Sequence, residues 1–168
     1  MFPLSRKKED TFIAGLSMGG YGALRNGLRY PETFGFIGAL SSVLIIDDLA
    51  ASNDEAPMVF QRRSYYESIF GELDKVAGSD ADPKALIHMI KSQKIQVPAI
   101  YMACGTEDFL IQKNRAFHEY LEAEGIAVTY EEGPGTHSWM FWDTYIRNFL
   151  DWLPLEAEQN PMSSAHVR

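Results

Sequence analysis

Cysteine is nearly absent from this chain: Cys104 is the single one among 168 residues, so no intrachain disulfide can form. Stability must come from core packing. Cys104 closes an apolar run, which reads as a buried, reduced thiol and favours a cytoplasmic setting. Long apolar runs are missing too: none approaches the roughly 20 residues that cross a bilayer, and Met1-Phe2-Pro3-Leu4 is too short for the apolar core of a signal peptide. No membrane is expected as a partner. Positive charge is scarce, with 15 Lys and Arg against 23 Asp and Glu and a net charge of −8. That balance argues against nucleic acid and anionic lipid, whose phosphates need clustered cations. The one basic cluster, Arg6-Lys7-Lys8, runs straight into Glu9-Asp10 and reads as a solvated turn. No spacing of His, Cys or carboxylates matches a metal site, so neither a metal nor another cofactor is expected. Internal repeats and low-complexity tracts are absent as well.

What the chain does hold is an apolar fraction of 46%, enough to bury a real core within one domain. Residues 11–16 form a short apolar run with β-branched and aromatic members, which reads as a buried strand. The helix that follows the turn at Ser17 is expected to continue over 21–29 and to end at Tyr30-Pro31, because proline disfavours helical geometry in the residue before it. Residues 34–42 read as a second buried strand. Strand, helix and strand together imply a parallel pair with a right-handed crossover. Residues 43–96 are a long helical insertion, either a cap over a site or a connection packed on the sheet. Within it Asp82-Pro83 starts a helix with an N-cap residue and an N1 proline, and Leu86, Ile87 and Ile90 supply its apolar face. A third strand over 97–103 opens into Cys104-Gly105-Thr106-Glu107-Asp108. A helix over 111–124, stopped by Gly125, leads to a fourth strand at 126–131. The loop Gly133-Pro134-Gly135-Thr136 then delivers His137 to a final helix, whose Trp139, Trp142, Ile146, Phe149, Leu150 and Leu153 read as a core-facing stripe in preference to a substrate box. Beyond Pro154 the composition turns polar, and 155–168 is expected to be a loosely held tail. The fold class is α/β, a parallel sheet with helices on both faces.

Chemistry concentrates at Gly15-Leu16-Ser17-Met18-Gly19, a Gly-x-Ser-x-Gly segment placed between a strand and a helix. A serine on such a tight turn projects its hydroxyl away from the backbone, and side chains at Gly15 and Gly19 would collide with the strand and helix. The following helix offers its positive end to an oxyanion, with the backbone N–H of Met18 as donor. Serine is a poor nucleophile at neutral pH, so it needs an imidazole to take its proton and a carboxylate to orient that imidazole. Ser17, Asp108 and His137 occur in a known chain order, the last two in loops after strands. Glu107 is adjacent, and either carboxylate could cap the next helix, but Asp108 is preferred. His88 and His118 fall inside helices and His166 in the tail, so each reads as a surface or packing residue.

These segments resemble the esterase D group of α/β-hydrolases, and within it the bacterial tributyrin esterases. Gly15-Leu16-Ser17-Met18-Gly19-Gly20-Tyr21-Gly22-Ala23 is similar to their elbow, Cys104-Gly105-Thr106-Glu107-Asp108 to their acid loop, and Gly133-Pro134-Gly135-Thr136-His137-Ser138-Trp139 to their histidine loop. Phe2-Pro3-Leu4-Ser5 is similar to the lead-in to their elbow strand, so the match covers nearly the whole chain before the tail. The resemblance implies hydrolysis of short-chain acyl esters through an acyl-enzyme, with S-formylglutathione hydrolase and acyltransferase relatives. A peptidase or lipase on the same fold stays open. It also implies that only the C-terminal part of an α/β-hydrolase is present, because members reach the elbow after four strands and a His-Gly loop that supplies a second oxyanion donor. Losing one such donor costs about a hundredfold to a thousandfold in rate. The elbow strand is then expected at a sheet edge, open to a second copy or to a complementing N-terminal half. Against the active esterase stands a truncated hydrolase with impaired catalysis, kept as an interaction module or a remnant.

Overall fold

The computed structural model describes residue 5 and residues 7–155; the N-terminal Phe2-Pro3-Leu4 segment, residues 156–168 of the tail and His166 lie outside them. Four strands, β1 (Phe12–Leu16), β2 (Phe36–Leu40), β3 (Ala99–Gly105) and β4 (Val128–Gly133), form one sheet in sequence order. Every pair is parallel, with Phe12 opposite Phe36, Phe36 opposite Ala99, and Ile100 opposite Val128. Among the described residues five α-helices connect or follow them: α1 (Met18–Arg29), α2 (Arg63–Phe70), α3 (Pro83–Ser92), α4 (Ile111–Ala123) and α5 (Trp139–Trp152). Helix α1 begins at Met18, directly after the elbow as expected, and β2 is shorter than the expected 34–42. The left-handed backbone at Ser41 ends β2 after Leu40.

The strands are apolar on both sides because both sides are covered, as parallel sheets require. On one face Ile37, Ala39, Ile100 and Met102 meet Leu24 and Leu28 of α1, Leu86, Ile87 and Ile90 of α3, and Phe117 and Leu121 of α4. On the other, Leu40, Tyr101 and Ala103 meet Phe141, Trp142 and Phe149 of α5 and Leu153 just past its end. The alternation of Ile100 and Met102 with Tyr101 and Ala103 is the period-two signature of a strand buried on both faces. Gly38 makes the second layer possible: a Cβ there would fall 2.7 Å from the fully buried Phe149 ring. Helix α3 starts as its sequence requires, with Asp82 Oδ1 accepting from Lys84 N–H at 2.9 Å and Pro83 at the first position.

The insertion 43–96 divides in two. Helix α3 belongs to the main core, whereas Ile46, Leu49, Leu73 and Val76 form a small cluster of their own, packed against Tyr21, Tyr66 and Phe70. Two members of the expected α5 stripe are corrected. Trp142, Phe149 and Leu153 are buried and Ile146 packs beside them, but Trp139 is 74% exposed and Leu150 41%. Leu150 follows Phe149 by one residue and so turns about 100° off the stripe. Trp139 lies on the stripe but in the first turn of α5, where it lines an open pocket beside Leu16 and Leu40 instead of joining the core.

Candidate active site

The C-terminal ends of β1, β3 and β4 bring together residues separated by up to 120 positions. In open parallel sheets this edge is where side chains from successive loops can converge. At the end of β1 the backbone turns left-handed at Ser17, with φ 55°, and α1 starts at the next residue. The turn is held by Ser17 N–H donating to Leu40 C=O at 2.8 Å, and by Gly20 and Val43 N–H donating to Ser17 C=O at 3.0 and 3.2 Å. Gly15 is demanded by the same turn, since a Cβ there would stand 2.2 Å from the Gly19 carbonyl oxygen, whereas the collision expected at Gly19 is corrected: a Cβ there would meet nothing within 4 Å. Met18 N–H sits at the first position of α1, where no intrahelical acceptor exists and the helix dipole is positive.

Asp108 is 2% exposed in the turn after β3. Its Oδ1 accepts from Leu110 N–H at 2.9 Å, which leaves Oδ2 facing His137 Nδ1 at 2.8 Å. His137 Nε2 in turn lies 2.9 Å from Ser17 Oγ. A carboxylate facing Nδ1 accepts from Nδ1–H, which keeps the proton on Nδ1 and leaves Nε2 as the acceptor for the serine hydroxyl, so one tautomer satisfies both contacts. The sequence leaves Glu107 and Asp108 as rival carboxylates; their neighbours separate them. Glu107 accepts from Gly135 N–H, while its own N–H donates to Gly135 C=O at 3.1 Å. Its carboxyl is held below the ordinary range chiefly by the Gly135 bond. Glu107 thus pins the loop that carries His137, and Asp108 touches the imidazole itself.

The other histidines stand apart from this cluster. His88 meets Tyr120 Oη at 3.3 Å, and His118 stacks on Tyr130 with ring centres 4.3 Å apart. Cys104 is buried, and burial pushes its thiol up to about 12, so it stays protonated and unreactive. Among the described residues no group of three or more His, Cys, Asp or Glu is placed to hold a metal ion, and no helix is long and apolar enough to cross a membrane.

Two aromatic neighbours of His137 escaped the reading of the sequence. Phe109 sets its ring 4.7 Å from the imidazole, and Trp142 stands edge-on at 4.8 Å. Trp142 carried only a packing signal, and for Phe109 the sole clue was its place next to Asp108. Beside the elbow lies an open apolar pocket of about 290 Å³, lined by Gly15, Leu16, Leu40, Trp139, Trp142 and Ile146. A larger depression of about 850 Å³ sits at the opposite ends of the strands, near Phe36, Ala99 and Val128, and carries none of the three converging residues.

The family model described as "Putative esterase" matches residues 2–152. An acetyl esterase of Caldicellulosiruptor saccharolyticus is 49% identical over 153 residues, covering 91% of this chain and 58% of that protein. The S-formylglutathione hydrolase structure from Staphylococcus aureus superposes with a TM-score of 0.77 at 34% identity, over 91% of this chain and 57% of that one. A substrate-bound fluorophosphonate-binding serine hydrolase of the same organism gives 0.78 at 34% identity, over 90% and 57%. The chain therefore spans somewhat under three-fifths of the length of these relatives. Their shared parallel sheet with covering helices is the α/β fold described above, and the chain belongs to the esterase family.

Proposed function

We propose that the chain carries the nucleophile, base and orienting acid of a carboxylic ester hydrolase. The observation that carries this reading is the relay from Ser17 Oγ to His137 Nε2 at 2.9 Å and from His137 Nδ1 to Asp108 Oδ2 at 2.8 Å. In the proposed cycle Ser17 Oγ attacks the ester carbonyl as His137 takes its proton, and the oxyanion meets Met18 N–H. His137 then protonates the departing alcohol, leaving an acyl-serine. Water, deprotonated by His137, attacks the acyl-serine and releases the acid. Asp108 holds the imidazole tautomer throughout and stabilises the imidazolium.

Short acyl groups are the proposed substrates. The pocket of about 290 Å³ beside Ser17 suits a small apolar acyl or aryl group, and the acetyl esterase relative points the same way. A thioester of glutathione is the second reading, favoured by the likeness to the S-formylglutathione hydrolase at 34% identity. Burst release of nitrophenol from nitrophenyl acetate, abolished in Ser17→Ala, is the expected result. A folded chain that shows neither burst nor labelling of Ser17 by a fluorophosphonate overturns the reading. Faster turnover of S-formylglutathione than of any short oxygen ester selects the second.

A further inference from the structure

Of the two rings against His137, only one is anchored. Phe109 is 76% exposed, whereas Trp142 is 8% exposed and its Nε1–H donates to Ser41 Oγ at 3.1 Å. Ser41 is itself fully buried and has φ 44°, a left-handed backbone that serine rarely adopts; among the described residues only Ser17 and Lys94 share this among non-glycines. Such strain persists only where the surroundings over-determine it. Here they do. Ser41 N–H donates to Ala103 C=O at 2.7 Å. The next residue is clamped on both sides by Asn114, through Ser42 N–H to Oδ1 at 3.1 Å and Nδ2–H to Ser42 C=O at 3.0 Å. The residue before, Leu40, accepts from Ser17 N–H. One bend at the end of β2 therefore holds the backbone of the nucleophile on one side and the indole against the imidazole on the other.

We propose that Ser41 and Trp142 are a positioning pair for His137. The Ser41 hydroxyl fixes the indole, and the indole edge fixes the plane in which the imidazole spans Asp108 and Ser17. Rotation of the ring away from Ser17 is blocked on that side by a side chain that cannot itself turn without breaking a buried hydrogen bond. A mere core role for Trp142, with its N–H satisfied as buried indoles require, predicts a cost in stability and none in imidazole order. The kinetic arm of the test rests on the proposed ester hydrolysis; the spectroscopic arm does not.

The test uses the chain labelled with ¹⁵N-histidine, in which the Nδ1–H signal of His137 is assigned by its loss in Asp108→Asn. That signal is expected sharp in the parent and broadened or lost in Ser41→Ala, Ser41→Gly and Trp142→Phe, while cooperative unfolding is retained. Ser41→Gly relieves the left-handed backbone that Ser41→Ala keeps, so its thermal midpoint lies above that of Ser41→Ala even though the signal is lost in both. In parallel, fluorophosphonate labelling of Ser17 and kcat for nitrophenyl acetate fall about tenfold to a hundredfold in Ser41→Ala and in Trp142→Phe. KM for Ser41→Ala stays unchanged, and the double variant is no slower than the slower single one. An unchanged His137 signal in all three variants overturns the proposal, as do losses that multiply in the double variant. If the parent chain is not labelled at Ser17, the ester hydrolysis reading fails, and the His137 signal alone decides the pair.

Discussion

At the scale of single residues, the two adjacent carboxylates after β3 have different work, and substitution separates them. Asp108→Asn keeps the shape but presents an amide N–H or a weaker acceptor to Nδ1, so the imidazole loses its tautomer and Nε2 no longer accepts from Ser17. Replacement of the orienting aspartate in a serine triad costs about 10⁴-fold in kcat. Glu107→Gln retains an oxygen that can accept from Gly135 N–H, and kcat is expected within about tenfold of the parent. Steady-state rates with one nitrophenyl ester check both. Equal losses in the two variants contradict the assignment. The sequence preferred Asp108 without a contact to rest on, because neighbours in a turn point in different directions and only the fold brings Asp108 Oδ2 to the imidazole.

At the scale of elements, close packing of the sheet against its helices is written in glycines with opposite roles. Gly38 of β2 faces Phe149 of α5, and three ring atoms lie within 2.9 Å of where its Cβ would be. Phe149 is fully buried between Tyr101 and Trp152 and has nowhere to retreat. Gly38→Ala is therefore expected to destabilise by about 1–3 kcal/mol, as overpacked cores do. Gly22 in α1 has open space around its Cβ position, so Gly22→Ala should stabilise by about 0.5–1 kcal/mol through helix propensity. Denaturant midpoints measure both, and a stable Gly38→Ala would show that α5 can shift off the sheet. The elements themselves were largely legible: α3 and its cap at Asp82, the stop of α4 before Gly125, and all four strands follow from local chemistry. The start of α1 was legible as well, because a strand-to-helix elbow at Ser17 sets the helix immediately after it.

At the scale of the whole molecule, the response to alkaline pH follows from buried phenols and one thiol. Burial raises Tyr21 and Tyr120 from 10.0 to about 12, and Cys104 from 9.0 to about 12. These groups hold their protons in the folded chain after the unfolded chain has begun to lose them. The folded state then binds more protons than the unfolded one, and stability falls as pH rises. The stabilisation is complete below about pH 9 and is expected to disappear progressively between pH 9 and 12. Thermal midpoints across that range should decline, and the decline should be shallower in Tyr21→Phe. That variant also loses the 2.6 Å bond from Tyr21 Oη to Ala81 C=O, so its midpoint starts lower. A flat profile through pH 11 contradicts the burial of these groups.

The sequence by itself determined the parallel α/β layout and the esterase resemblance, and it pointed to Ser17 and His137 with Asp108 preferred over Glu107, because strand periodicity, helix stops and the elbow segment are local rules that short segments obey. Only the tertiary structure decided which carboxylate meets His137, that Trp139 stands in solvent while Trp142 braces the imidazole, and that Ser41 is bent to hold it. Those outcomes depend on where four strand ends meet, and that meeting is fixed by sheet order and helix packing between residues far apart in the chain.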